Sequence, residues 1–320
     1  MPESNIEPQL TVVMAVHNGS PFLRTAVDSI LNQTYANFNF LIIDDASTDD
    51  TREIVRSYND NRIALECLKK NVGQTAALNI GLNLATTAWI ARMDADDYSA
   101  PTRLEEQMQA LNADPSLSCV GTHVWMFRDD PQVVDKVIAT PSSHEEIKDM
   151  LLRGTPMIHG SIIVNREAIL EVGGYDNHFR LTADVDMYDR LFLKHRAANI
   201  PKQLMGIRQH ANQVSHSRVV FDESIEICSR RLLTDDYPPR DAAITRANLS
   251  RSHLFRARIL GGEHKYADVL KDISRAFRIS PSTFFWHFLL VFVGRLIPTR
   301  NRGTLRRLLT RRVPWLLGRL

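Results

Sequence analysis

Three carboxylates fall within four residues at Asp94, Asp96 and Asp97, directly after the short apolar run Trp89-Ile90-Ala91-Arg92-Met93. So much negative charge at a strand end is costly through mutual repulsion unless a cation or a hydrogen-bond network offsets it. Hard divalent ions take oxygen ligands, and a magnesium-type site commonly combines one or two carboxylates with phosphate oxygens of a substrate. The chemistry within reach is metal-assisted handling of a phosphorylated ligand. These residues alone leave a second reading open, a solvated acidic turn ahead of a helix opened by Pro101.

The elements that would hold such a cluster lie upstream. Residues 10–16 are apolar and β-branched, a buried strand closed by His17-Asn18-Gly19. Ser20-Pro21 offers a helix cap and a first-turn proline, and Leu23, Ala26, Val27, Ile30 and Leu31 recur at the spacing of one helical face. A strand over 38–43 runs into Asp44-Asp45-Ala46-Ser47-Thr48-Asp49-Asp50-Thr51, and a helix carrying Ile54, Val55 and Tyr58 follows. A third strand, 63–68, leads to Asn71-Val72-Gly73-Gln74 and a helix through Leu84, and a fourth, 90–93, ends in the acidic cluster. This alternation implies parallel βαβ units with right-handed crossovers. Ligands of such sheets bind beyond the carboxyl ends of the strands, so polar groups from four strand ends meet at one crevice.

Past Asp97 the pattern becomes mixed, with helix over 101–111, strand over 118–127, helix over 145–152, strand over 159–164, a turn at Gly173-Gly174-Tyr175 and helix over 184–193. Beyond about Val219 the chain reads as helical, in segments 247–260, 266–277 and 281–296 broken by Gly261-Gly262 and Ser280-Pro281. The expected division is a nucleotide-binding half over 1–100, an acceptor-side half over 101–218 and a helical region over 219–320.

With 44% apolar and 24% charged residues in 320, the chain is an ordinary globular protein. Its net charge of +2 hides a basic end, since 295–320 holds eight arginines and no acid. The three cysteines stand far apart, which offers neither a disulfide framework nor thiolate metal spacing and suits a reducing compartment. No basic-then-apolar leader opens the sequence, so a cytoplasmic location is expected. The apolar run 284–293 is shorter than the roughly 20 residues a bilayer requires. It is either a packing helix or, with Trp286, Trp315 and the arginines, a peripheral contact with anionic membrane at the inner face of the plasma membrane. No G-x-G-x-x-G follows the first strand and no Walker A sequence occurs, which disfavours dinucleotide-dependent redox chemistry and NTP hydrolysis. No nucleic-acid partner is expected.

Taken in order, these motifs resemble family 2 glycosyltransferases of the GT-A fold, over roughly residues 8 to 218. Residues 12–19 resemble the first-strand signature, with Ala15 where proline is usual. Residues 41–51 resemble the Asp-Asp-Gly-Ser-Thr-Asp motif, 71–81 the third motif, and Met93 to Asp97 with Arg103-Leu104-Glu105 the Asp-x-Asp motif and its following helix. The resemblance implies an α/β fold, a GT-A nucleotide-binding sheet with a mixed acceptor-side portion and a C-terminal helical extension. It implies an inverting enzyme, a hexosyl- or N-acetylhexosaminyl-transferase. Such an enzyme moves a sugar from a nucleoside diphosphate sugar (a UDP-sugar first of all) to a hydroxyl of a glycan or lipid-linked acceptor in polysaccharide or cell-surface glycan synthesis.

Departure of a diphosphate needs its charge neutralised, a Lewis-acid task for Mn²⁺ or Mg²⁺. Asp96, supported by Asp94 and Ala95, is expected at metal and ribose. Ala15, Val16, His17 and Asn18 are expected to frame the base, with Asp44 and Asp45 accepting hydrogen bonds from base or ribose, or capping the next helix, and Asn71 and Gly73 either contacting donor or forming a turn. Residues 181–189 resemble the Glu-Asp motif and put Asp184 on the general base, with Ala183 where glutamate is usual and Asp186 as a fallback on the acceptor side; an ordinary helix N-terminal acid is the other reading. His159 matches a segment near the acceptor, though a lone histidine is often structural. In the closing segment from 208 to 215, Arg208 would pair with the diphosphate and His210 would complete the metal shell, unless both belong to a solvated loop. The alternative function is a nucleotide-sugar-binding protein without turnover.

Overall fold

A computed structural model describes residues 9–210, 217–235 and 237–288. They belong to two units, Met1–Val214 and Ser215–Leu320. In the first, β1 (Leu10–Val16), β2 (Phe38–Asp44), β3 (Ile63–Cys67) and β4 (Trp89–Asp94) pair in parallel, with α1 (Leu23–Leu31), α2 (Thr51–Arg56) and α3 (Gln74–Leu84) as the crossovers. The remainder is β5 (Tyr98–Ser99), α4 (Arg103–Ala113), β6 (Leu117–Phe127), β7 (Lys136–Ile138), α5 (His144–Leu151), β8 (Ile163–Asn165), α6 (Arg166–Glu171), α7 (Ala183–Leu191) and β9 (Arg196–Arg208). The sheet order is β3-β2-β1-β4-β8-β6-β9-β5, with β7 on β6. Residues on either side of position 100 therefore share one sheet.

β1 is buried on both faces, as a central parallel strand must be, which is why it reads as an unbroken apolar run. Leu23, Ala26, Val27 and Ile30 of α1 pack on this sheet, together with Leu104, Met108 and Leu111 of α4. The strand order reverses between β1 and β4, and this switch point opens the crevice beyond their carboxyl ends.

Three local expectations need correction. The first helix begins at Leu23, because the Gly19 carbonyl accepts from the amides of Phe22 and Leu23 while the Ser20 amide is drawn to Asp49 Oδ2 at 3.0 Å. α4 begins at Arg103, whose amide bonds the Ala100 carbonyl. The expected strand at 159–164 is a 3-10 turn, His159–Ser161, closed by Ser161 Oγ on the Ile158 carbonyl at 2.8 Å, and pairing starts only at Ile163.

The second unit holds α8 (Arg218–Leu232), α9 (Pro239–Gly262), α10 (Tyr266–Ile279) and α11 (Pro281–Phe288). α9 starts eight residues before the helix expected at 247, with Pro239 in the first turn, where the missing amide costs nothing. A buried carboxylate locks α10 to α9, since Asp272, 2% exposed, accepts from Arg256 Nε at 2.7 Å and contacts His253 Nδ1 at 2.9 Å. Burial alone would raise the pKa of Asp272; hydrogen bonds from Arg256 and His253 outweigh it and bring it to about 2. The expected helix beyond Phe288, with Trp315 and the arginine-rich end, lies outside the described residues, as do 211–215 of the closing segment. Among the described residues no helix is long and apolar enough to cross a membrane.

Candidate active site

The strand ends expected to meet the donor are tied to one another by loops. Asp44 is fully buried, with its carboxylate on Arg52 Nε at 2.5 Å and the Ser47 amide at 3.2 Å. Asp45, 2% exposed, takes the amides of Val72 and Gly73 at 2.7 and 2.8 Å, fixing the turn before α3 in which Gly73 has φ +88°. Both carboxylates are buried and engaged by these partners, which suits the alternative that they shape and cap the loops. Ala15 and Val16 are buried, and the Val16 carbonyl accepts from the Asp45 amide. His17, Asn18 and Asn71 are the exposed groups at this rim. His17 Nδ1 lies 2.8 Å from the Asp45 carbonyl, and Asn18, at φ 53°, accepts the Thr48 amide at 2.8 Å. Asn71 Nδ2 reaches the same Asp45 carbonyl at 3.4 Å, so the three rim residues and the Asp45 main chain form one surface.

Beneath the acidic turn are three arginines. Arg92, Arg103 and Arg208 are 3%, 0% and 5% exposed. Arg92 pairs with Asp94, which also receives Gln74 Nε2 at 3.4 Å. Arg103 donates Nη1 to the Gly160 carbonyl at 2.7 Å and to the Arg92 carbonyl, with Nε and Nη2 lacking partners among the described residues. Burial and the neighbouring Arg92 pull its pKa down to about 9. Asp97 accepts the Arg208 amide at 2.9 Å, and burial together with Asp94 and Asp96 pushes its carboxyl well above the usual carboxylate range. The cluster thus carries at most three negative charges against three guanidinium groups. Of the three carboxylates only Asp94 is ion-paired with an arginine, Arg92, among the described residues, while burial and the neighbouring acids raise the carboxyls of Asp96 and Asp97.

Arg208 also departs from its expected role. Its guanidinium lies over the rings of Phe22 and Phe127, with Nε on the Asp96 carbonyl at 2.9 Å and Nη1 on the carbonyls of Arg128 and Asp129 at 2.8 and 3.0 Å. It clamps the acidic turn to the end of β6 instead of reaching for a diphosphate. Asp96 and His210 do face one another, with Oδ2 and Nε2 2.9 Å apart. Adjacent ligands on an octahedral ion with bonds of roughly 2.1 Å stand about 3 Å apart, so both atoms fit one coordination shell. One carboxylate oxygen and one imidazole suit Mn²⁺. Among the described residues no three acidic, imidazole or thiol groups converge, so the remaining positions would fall to substrate oxygens and water.

The segment expected to meet the acceptor is coupled to this turn through the 3-10 turn His159–Ser161. A β-carbon on Gly160 would stand 3.1 Å from Asp94 Oδ2 and 3.5 Å from Asp97 Oδ2, so only glycine lets the backbone pass beneath both carboxylates freely. Next to it His159 Nε2 bonds the Tyr175 hydroxyl at 2.7 Å. Burial, with Arg92 nearby, holds the His159 pKa well below its ordinary value, and burial raises that of Tyr175. His159 is therefore a neutral ring anchoring Tyr175, not an open acceptor contact. Asp184, half-buried in the first turn of α7, lies within the electrostatic reach of Tyr175 and Tyr188. Asp186 is bound to Arg190 at 2.6 Å, which removes it as a fallback base. Arg92, Arg103, Tyr175 and Gln74 escaped the sequence reading.

The parallel half of the sheet, with Asp96 and His210 beyond the end of β4, forms the kind of crevice in which open α/β sheets bind ligands. The chain belongs to glycosyl transferase family 2, whose model matches residues 11–174, and its fold is GT-A. It is 34% identical over 228 residues to the putative glycosyltransferase EpsE of Bacillus subtilis, covering 69% of this chain and 80% of that one. Identity to the O-antigen biosynthesis glycosyltransferase WbnJ of Escherichia coli is 31%, over 70% of this chain and 89% of that one. Among solved structures, S. aureus TarS 1–349 in complex with UDP superposes with a TM-score of 0.65 at 15% identity, over 93% of this chain and 86% of that one. A mannosyltransferase of Pyrobaculum calidifontis in complex with GDP-Man and Mn²⁺ gives 0.62 at 19% identity, over 99% and 87%. The chain is a glycosyltransferase.

Proposed function

We propose that this glycosyltransferase is inverting and metal-dependent, and that it transfers a sugar from a UDP-sugar to a glycan or lipid-linked hydroxyl during polysaccharide or cell-surface glycan assembly at an anionic membrane surface. The observation that carries the reading is the 2.9 Å approach of Asp96 and His210 at the switch-point crevice, with Asp184 on the neighbouring helix N-terminus. A divalent ion held by this pair would neutralise the diphosphate as it leaves. The rim of His17, Asn18 and Asn71 receives the base, and Gln74 and Asp94 flank the ribose. Asp184 accepts the proton of the acceptor hydroxyl as its oxygen bonds the anomeric carbon and the bond to the diphosphate oxygen breaks. UDP in the TarS complex, Mn²⁺ in the mannosyltransferase complex and the O-antigen role in the name of WbnJ all support this assignment.

Ala183, 8% exposed, leaves the base without a neighbouring glutamate, and this together with Ala15 in place of the usual proline favours binding without turnover. Release of nucleoside diphosphate from UDP-, GDP- and dTDP-sugars, with and without Mn²⁺, separates the two readings. Metal-dependent release with one donor, cut roughly 10²–10⁴-fold in Asp184→Asn while donor affinity holds, supports the transferase with this base. Tight donor binding with no turnover on any acceptor sinks it.

A further inference from the structure

The imidazole that faces Asp96 is not aimed in the usual way. A metal-binding histidine ordinarily donates its second ring nitrogen to a carboxylate or carbonyl, and that bond fixes the tautomer and the orientation of the ring. His210 Nδ1 is buried and has no hydrogen-bond partner among the described residues. Its Nε2 meets Asp96 Oδ2 at 2.9 Å, and a single contact at one atom leaves the ring plane free to turn. What limits the plane is the ring of Phe22, whose centroid lies 5.0 Å from that of the imidazole with the planes at 38°. At that separation aromatic rings attract one another.

Phe22 stands on the loop between β1 and α1, and that loop is fastened along its length. The Gly19 amide donates to Thr51 Oγ1 at 2.9 Å, the Ser20 amide to Asp49 Oδ2 at 3.0 Å, and the amide of Phe22 to the Gly19 carbonyl at 3.1 Å. A β-carbon on Gly19 would lie 3.7 Å from that of Ala95, so the loop passes against the acidic turn. The Phe22 ring also carries the Arg208 guanidinium, 4.8 Å from its centroid, and Arg208 is tied to the Asp96 carbonyl at 2.9 Å. One half-buried ring therefore packs on both residues that reach Asp96, Arg208 at its main chain and His210 at its carboxylate.

We propose that Phe22 is a positioning residue of the metal site: its ring holds the His210 imidazole with Nε2 toward Asp96, doing by ring packing what a hydrogen bond at Nδ1 does in other metal sites. The inference rests on the metal-dependent reading above. It extends that reading to the loop after β1, a segment that carries no metal ligand of its own.

Nucleotide binding to the full chain, followed by titration calorimetry without any sugar transfer, tests this. The quantity read is the factor by which Mn²⁺ tightens binding of UDP (or of GDP or dTDP, whichever wild type binds most tightly). Phe22→Leu should cut that factor roughly tenfold, as loss of an outer-shell partner of a metal ligand does. Phe22→Tyr keeps the ring and should keep the factor. In a His210→Ala background, Phe22→Leu should change it by less than about twofold, because the effect passes through the imidazole. Should Phe22→Leu melt early, Phe22→Met serves in its place, filling a similar volume without a ring. An undiminished factor in Phe22→Leu or Phe22→Met, or an equal loss with and without His210, would overturn the positioning role and leave the metal site standing. No tightening by Mn²⁺ in wild type would overturn metal dependence and this role with it.

Discussion

Manganese by itself should do little to this protein, whereas removing one buried arginine should make the protein depend on it. Arg92 pairs with Asp94, Arg103 and Arg208 are buried beside the turn, and only Asp96 and His210 are spaced as ligands of one ion. With two protein donors the affinity for free metal should be on the order of 1 mM. At about 1 mM Mn²⁺ the stabilisation is then RT ln 2, about 0.4 kcal/mol, or a shift of roughly 1 °C. Nucleotide completes the shell. At a hundredfold excess over its dissociation constant, UDP with Mn²⁺ should contribute about 2.7 kcal/mol and raise the melting temperature by roughly 5–10 °C.

Arg92→Met changes the sign of the local balance. It strips Asp94 of its partner, and since Asp94 is 27% exposed the cost should lie near about 3 kcal/mol, the low end for a broken buried pair. Mn²⁺ alone should then recover part of that loss, with a shift several times larger than in wild type. Differential scanning calorimetry of both proteins, with and without Mn²⁺ and UDP, reads all of these values. A shift of 5 °C or so from Mn²⁺ alone in wild type, or no added metal response in the variant, would refute internal compensation as what holds the turn.

Other perturbations bear on separate parts of the molecule. Gly160→Ala places a β-carbon 3.1 Å from Asp94 Oδ2 and Met205 Cε, so a loss of about 1–2 kcal/mol and a smaller UDP–Mn²⁺ shift are expected in the same calorimeter. Tyr188→Phe removes a fully buried hydroxyl without a hydrogen-bond partner among the described residues and should leave stability unchanged or raise it by about 1 kcal/mol in urea; a clear loss would reveal a buried partner such as water. Asp272 titrates near 2 when folded against 3.8 otherwise. It therefore contributes about 2 kcal/mol above pH 4 or so, and that contribution disappears as pH falls toward about 2. Asp272→Asn should cost about 3 kcal/mol near neutral pH and flatten that acid limb of a denaturation series.

The parallel half was legible because its physics is one-dimensional. A strand buried on both faces must be an apolar run, so Leu10 to Val16 declared itself, and polar residues clustered where such runs stop have few reasons to be there except a ligand or a cap. The choice between those reasons is three-dimensional. Asp44 and Asp45 look like ligand contacts by position, yet Arg52 and the amides of Val72 and Gly73 occupy them, and those partners lie 8 to 28 residues away. Some of the hidden pairing did leave a trace. Side chains two apart on a strand share a face, so Arg92 and Asp94 could have been matched from the alternation alone, and Asp186 and Arg190 from their helical spacing. Arg103 could not, because arginine belongs by type to the surface and only the approach of the Gly160 carbonyl gives it an interior role. The same glycine explains why 159–164 misread as a strand: its lack of a β-carbon matters only against Asp94, Asp97 and Met205, all more than forty residues away in sequence. Residue type announces which strand ends can do chemistry, while the partners that surround those groups are set by contacts that cross the sheet.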